Sequence, residues 1–169
     1  NPDLQMVGNL LVVAEIPGNL TTGILGIGNN QTRRKLAIQY SSIYFRTLLH
    51  PKANISPSAY FGPGTVVMAG ATINSSVEIG AHVIVNTNAS VDHDCVLEDF
   101  VHISPSATLC GNVKVGEGSH IGAGVTIIPN INIGKWCIIG AGAVITKDVP
   151  DYSLVVGVPG KIIKKLKND

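Results

Sequence analysis

A chain of 169 residues with 45% hydrophobic content can bury one good-sized core, so one main domain with a small appendage is expected. A charged fraction of 14% and a formal net charge of +1 give no broad field for nucleic acid or an anionic membrane, so any charged ligand must be held locally. Three cysteines cannot all pair within one chain and no signal peptide precedes them, which favours a reduced cytoplasmic setting over a disulfide framework.

The chain opens Asn1-Pro2-Asp3 without an initiator methionine, as in a processed or trimmed front end. Leu10 to Ala14, bracketed by Asn9 and Glu15, is far shorter than the roughly 20 apolar residues of a membrane-spanning helix and reads as a strand. Gly23 to Gly28 reads as a buried strand and Asn29-Asn30 as a turn. Gln31 to about Ser41 reads as a helix N-capped by Asn30, and Ile43 to Leu49 as a returning strand. This β-α-β unit crowds Arg33, Arg34 and Lys35 into the first helical turn, where the helix dipole disfavours positive charge. A diphosphate at the loop Gly28-Asn29-Asn30 would relieve that conflict; a solvated basic turn is the alternative.

From Leu49 the pattern changes to a six-residue period. Stepping by six from Leu49 through Ile55, Phe61, Val67 and onward to Ile145 meets seventeen apolar residues, mostly β-branched. Chance agreement at 45% hydrophobic content is about one in a million. Four residues after each comes a small or apolar residue, from Ala53 to Val149, and glycine recurs directly after the periodic residue at Gly62, Gly80, Gly116, Gly122, Gly134 and Gly140. Six matches neither a helix nor simple alternation. It suits short strands joined by regular bends, two inward side chains per unit and three units per triangular coil, with coils stacked ~4.8 Å apart. Seventeen units make between five and six coils. Ile162-Ile163-Lys164-Lys165-Leu166 reads as a short amphipathic helix capping the C-terminal end.

The hexad repeat, over about two thirds of the chain, resembles the hexapeptide acyltransferase superfamily. Further residues narrow the likeness: Gly26-Ile27-Gly28-Asn29-Asn30, a basic helix, then Leu49-His50-Pro51 before the hexads. This string is similar to the sugar-nucleotide acetyltransferases of bacterial glycan pathways. Those include enzymes that N-acetylate UDP-linked 4-amino-4,6-dideoxy sugars on the way to bacillosamine, their GDP-perosamine relatives, and sialic acid O-acetyltransferases. The resemblance implies a mainly β protein: a left-handed parallel β-helix with a small, truncated Rossmann-like α/β lobe, the lobe's first β-α-β and glycine-rich loop being absent. It divides the chain into a nucleotide-sugar lobe (1–48), an acyltransferase domain (49–150) and a closing turn with capping helix (151–169). It also implies a cytoplasmic bacterial homotrimer, with acetyl-CoA as co-substrate, a nucleotide sugar as acceptor, and sites in the grooves between prisms.

Within the repeat, Val91-Asp92-His93-Asp94-Cys95 places Val91 and Cys95 inward and His93 at the outward bend. The resemblance makes His93 the general base and Asp94 the carboxylate that orients its ring. An imidazole is suited to take the proton an attacking amine must lose, and a carboxylate on the far ring nitrogen fixes the tautomer. By the same likeness His102, Gly111, Ala123 and Ala141 meet acetyl-CoA, with the Gly111 N–H serving the developing oxyanion, and Gly28, Asn29 and Asn30 meet the nucleotide sugar. His102 and His120, eighteen residues apart, stack on successive coils, a spacing that suits the zinc of γ-class carbonic anhydrases if a third ligand joins them; none is evident and no metal is expected. Cys95 and Cys137 fall in inward slots and read as core residues.

Overall fold

The computed structural model describes residues 20–167; Leu10 to Ala14, expected as a strand, lies outside them. Strand β1 (Thr22–Gly23), helix α1 (Asn30–Gln39) and strand β2 (Tyr44–Phe45) form the expected β-α-β unit, with β1 and β2 parallel. Both strands are shorter than their apolar runs suggested. The N-cap is Asn29, one residue earlier than expected: its side chain accepts from the Thr32 N–H at 2.9 Å. Asn30, Arg33 and Ala37 make up the buried stripe of α1, and the helix closes with the Tyr40 N–H on the Leu36 carbonyl.

Seventeen two-residue strands follow at the six-residue step, β3 (Leu48–Leu49) to β19 (Val144–Ile145). Each strand from β3 to β16 pairs in parallel with the strand eighteen residues on, as His102 does with His120, so the chain winds as a three-faced β-solenoid. The first face carries β3 and every third strand after it, the second face begins at β4 (Asn54–Ile55) and the third at β5 (Tyr60–Phe61). The periodic residues from Val67 to Ile145 fill one continuous core, together with the small residues four positions later. Leu49 at the open first coil is 44% exposed, having no coil above it. Two polar residues share the small slot and are satisfied there: the Thr65 and Ser119 hydroxyls donate to the Gly80 and Gly134 carbonyls, each at 2.7 Å, and accept from the Val83 and Cys137 N–H groups. The recurrent glycines answer to crowding between coils. A Cβ on Gly62 would lie 2.6 Å from the backbone of Gly80 and Ala81.

From Gly64 to Gly142 each corner turns on a residue in the left-handed region, as does the turn at Tyr152, and ten of those residues are not glycine, among them His82, Asp94, Phe100, Trp136 and Tyr152, with φ between 52° and 64°. Beyond the seventeenth unit, β20 (Ser153–Val156) adds a further rung to the first face. The expected capping helix at Ile162 to Leu166 is instead strand β21 (Lys161–Lys165), antiparallel to β20. Five residues of mixed Ile and Lys fit either element on pattern alone. The open ladder of β20, reached through the turn at Gly157 to Gly160, offers backbone partners to an extended segment, and Ile162-Ile163 is β-branched.

Candidate active site

His93 and Asp94 sit at the corner between the second and third faces, and both side chains are more than half exposed. The tight corner, with Asp94 at φ 59°, brings its carboxylate back onto the preceding ring: His93 Nδ1 donates to Asp94 Oδ2 at 2.7 Å. The proton is therefore on Nδ1, and Nε2 keeps its lone pair. That hydrogen bond to Asp94, then the charge of Asp92, raises the His93 pKa above 6.5. Asp92, which the sequence reading left without a role, steadies the corner. Its Oδ1 accepts from the His93 N–H at 2.9 Å and from Asn74 Nδ2 at 2.7 Å, and these bonds, Asn74 first, lower its own pKa. Asn74 was findable by stepping back one coil from Asp92.

Gly111 lies one coil below His93, buried under the ring. A Cβ there would come within 2.7 Å of both Cε1 and Nε2, so this glycine leaves the space in which the imidazole rests. The other expected cofactor residues lie elsewhere. His102 is buried on the first face, and Ala123 and Ala141 are exposed at the corner between the first and second faces, stacked so that the Gly142 N–H meets the Ala123 carbonyl. One chain thus brings His93, Asp94 and Gly111 together and leaves His102, Ala123 and Ala141 on other sides of the prism.

His102 faces the front lobe. Its Nδ1 donates to the Gly28 carbonyl at 3.2 Å and its Nε2 lies 3.3 Å from Asn86 Nδ2. Burial, then the neighbouring His120 ring 4.8 Å away, lowers its pKa to about 4, so it is neutral at physiological pH. His120 bonds Ser104 Oγ at 3.0 Å. Both imidazoles thus have partners within the protein, and no group of three potential metal ligands gathers among the described residues. Cys95 and Cys137 are buried core thiols; burial pushes Cys95 up to about 11.

A groove of about 1270 Å³ opens between α1 and the first face. Gly28, Asn29 and Asn30 form its head, Arg34 and Lys35 of α1 one wall, and His102, His120, Trp136 and Tyr152 the other. Gly28 and Asn29 are exposed, but every polar atom of the Asn30 amide is engaged internally: Nδ2 donates to the Gly118 and Ser119 carbonyls at 2.9 and 3.2 Å, and Oδ1 accepts from Arg33. The basic turn is correspondingly not a single cationic patch. Arg34 pairs with Glu117 at 3.2 Å and lies over Trp136, while Arg33 turns inward and is fully buried, because the helical phase that buries Asn30 and Ala37 carries it along. No helix among the described residues is long and apolar enough to cross a membrane.

A three-faced solenoid of hexads with a carboxylate-backed imidazole at an outward corner defines a hexapeptide-repeat transferase. The bacterial transferase hexapeptide (six repeats) family matches residues 94–129 and 112–147. PerB from Caulobacter crescentus, solved with CoA and GDP-perosamine, is similar at a TM-score of 0.85 and 41% identity, over 86% of this chain and 72% of that one. The acetyltransferase domain of PglB from Neisseria gonorrhoeae, solved with acetyl coenzyme A, is similar at 0.81 and 44% identity, over 83% and 69%. A curated relative, UDP-N-acetylbacillosamine N-acetyltransferase of Bacillus subtilis (strain 168), is 45% identical over 48 residues, which span 27% of this chain and 22% of that enzyme. The chain belongs to the hexapeptide-repeat acetyltransferases of nucleotide-linked amino sugars.

Proposed function

We propose that this protein moves the acetyl group of acetyl-CoA onto the amino group of a nucleotide-linked sugar of the UDP-4-amino-4,6-dideoxy type in bacterial glycan biosynthesis, with His93 as general base. The bond from His93 Nδ1 to Asp94 carries the reading, because it leaves Nε2 as the basic nitrogen of a ring that is more than half exposed at the corner. The sugar amine attacks the thioester carbonyl, and Nε2 takes the amine proton as the C–N bond forms. The tetrahedral oxyanion, near the Gly111 backbone, then collapses and expels the CoA thiolate, which recovers the proton from the imidazolium. No acyl-enzyme is required.

A prism cannot gather its own three sides into one cleft. Since His93 and Gly111 lie on a different side from His102, Ala123 and Ala141, the reading places the reaction between two copies within a homotrimer. One chain supplies the base; its neighbour supplies the groove, where Gly28 and Asn29 meet the nucleotide sugar and Asn30 holds their loop. His102, Ala123 and Ala141 line the approach of acetyl-CoA. In this reading the coils are left-handed, 1–48 is a partial Rossmann-like lobe, 49–150 the acyltransferase domain and 151–169 its closing segment. The likeness to PerB, which was solved with both CoA and GDP-perosamine, supports the substrate classes.

The test is thiol release from acetyl-CoA in the presence of GDP-perosamine or a UDP-4-amino-4,6-dideoxy sugar. Release is expected with an amino sugar, and His93→Ala should lower it by about a hundredfold or more. Release with sialic acid alone would move the reaction to a hydroxyl acceptor, and release with none of them would end the enzymatic reading.

A further inference from the structure

We propose that Arg33 is the positioning residue that sets the acceptor loop Ile27–Asn30 against His102, so that sugar-nucleotide binding depends on it and the solenoid's own stability does not. Arg33 is 1% exposed, and no carboxylate among the described residues pairs with it. A buried guanidinium without a counter-charge is costly and persists only when its donors are all employed. Here they are, and every acceptor is an oxygen of the protein. Nε donates to the His82 carbonyl at 2.8 Å, and Nη1 to the carbonyls of Ile27 at 2.9 Å and Gly28 at 3.3 Å. Nη2 donates to Asn30 Oδ1 at 2.9 Å and to the carbonyls of Phe100 at 2.8 Å and Val101 at 3.4 Å.

Those oxygens belong to four pieces of chain: the loop at the head of the groove, the start of α1, and the same corner on two successive coils of the solenoid. The Gly28 carbonyl is also where His102 Nδ1 donates, so the loop is held to the first face at that oxygen as well. Among the described residues the lobe's core is Leu25, Ala37, Ile43 and Phe45 with Leu36, Tyr40 and Phe100 packed on it, and the solenoid core is a separate cluster. Removing Arg33 therefore loosens the lobe on the prism and leaves the prism intact. A lysine cannot substitute, because a single ammonium cannot span the carbonyls of Ile27, His82 and Phe100 as a planar fork does.

The proposal rests on the acetyltransferase reading for its kinetic part and on the fold alone for its exchange part. Wild type, Arg33→Lys and Arg33→Met are compared by thiol release with GDP-perosamine and a UDP-4-amino-4,6-dideoxy sugar, and by amide hydrogen exchange. Both variants should raise the sugar-nucleotide KM by about tenfold or more, as loss of charge-assisted hydrogen bonds implies, while the acetyl-CoA KM moves by less than about threefold. Exchange should quicken at residues 27–30 and stay unchanged in the strands from His102 to Ile139. Wild-type affinity in Arg33→Lys, or a parallel rise in both KM values, would overturn the proposal. If wild type releases no thiol with either sugar, the acetyltransferase reading fails, and unchanged exchange at 27–30 then overturns Arg33 as the latch while quickened exchange upholds it.

Discussion

His93 is held at two points, by Asp94 at its ring and by Asp92 at its backbone N–H, and the ring contact has kinetic consequences. A base acts unprotonated, so kcat/KM should fall as pH drops through the raised His93 pKa, with the acid limb inflecting above 6.5. Asp94→Asn removes the largest cause of that shift. The limb should move to lower pH, and the maximal rate should fall less than in His93→Ala; a pH profile that does not move would exclude Asp94 as the orienting group. Gly111→Ala probes the same ring from below. Its Cβ would meet Cε1 and Nε2 at 2.7 Å and displace the imidazole, so a loss of order a hundredfold in kcat is expected at nearly unchanged melting temperature. The outward corner position of His93 and Asp94 was legible because the hexad phase fixes which residues face out. Asn74 becomes legible only by stepping back one coil from Asp92, and Arg33 was not legible, because cations are rarely buried. The spacing of Asn30, Arg33 and Ala37 was the sign that α1 docks through a polar stripe.

Strands of two residues have little stability alone, and each rung depends on those above and below it. Ser119 shows this within the core. Its hydroxyl joins the Gly134 carbonyl of the next coil to the buried Cys137 N–H, and Ser119→Ala would leave both groups unpaired. Thermal unfolding should report a loss of about 1–3 kcal/mol; a neutral substitution would show that a water replaces the hydroxyl. The sequence carried the solenoid strands almost residue by residue because the period of six recurs so often. It carried α1 with a one-residue error at its cap, since Asn29 and Asn30 are equally good caps and only the docking of Asn30 decides between them. It misled at Lys161–Lys165, where the deciding fact is the open edge of β20, a partner that local pattern does not reveal.

The placement of His93 and His102 on different sides of the prism makes a prediction about assemblies. If each site draws His93 from one chain and His102 from its neighbour, inactive His93→Ala and His102→Ala chains, unfolded together and reassembled in equal amounts, should regain about a quarter of wild-type activity. Sites confined to one chain would regain none. The ten left-handed corners without glycine carry a further consequence. Glycine or asparagine adopts that conformation readily, whereas a bulky side chain there costs of order 1 kcal/mol. A repeat selected only to stack would use the permissive residues throughout. Asp94 departs from that and holds the imidazole, His82 and Phe100 depart from it and pack their rings on the front lobe, and Trp136 and Tyr152 depart from it and wall the groove. Local strain thus individualises coils that periodicity would otherwise render interchangeable, and it does so where the molecule meets something other than itself.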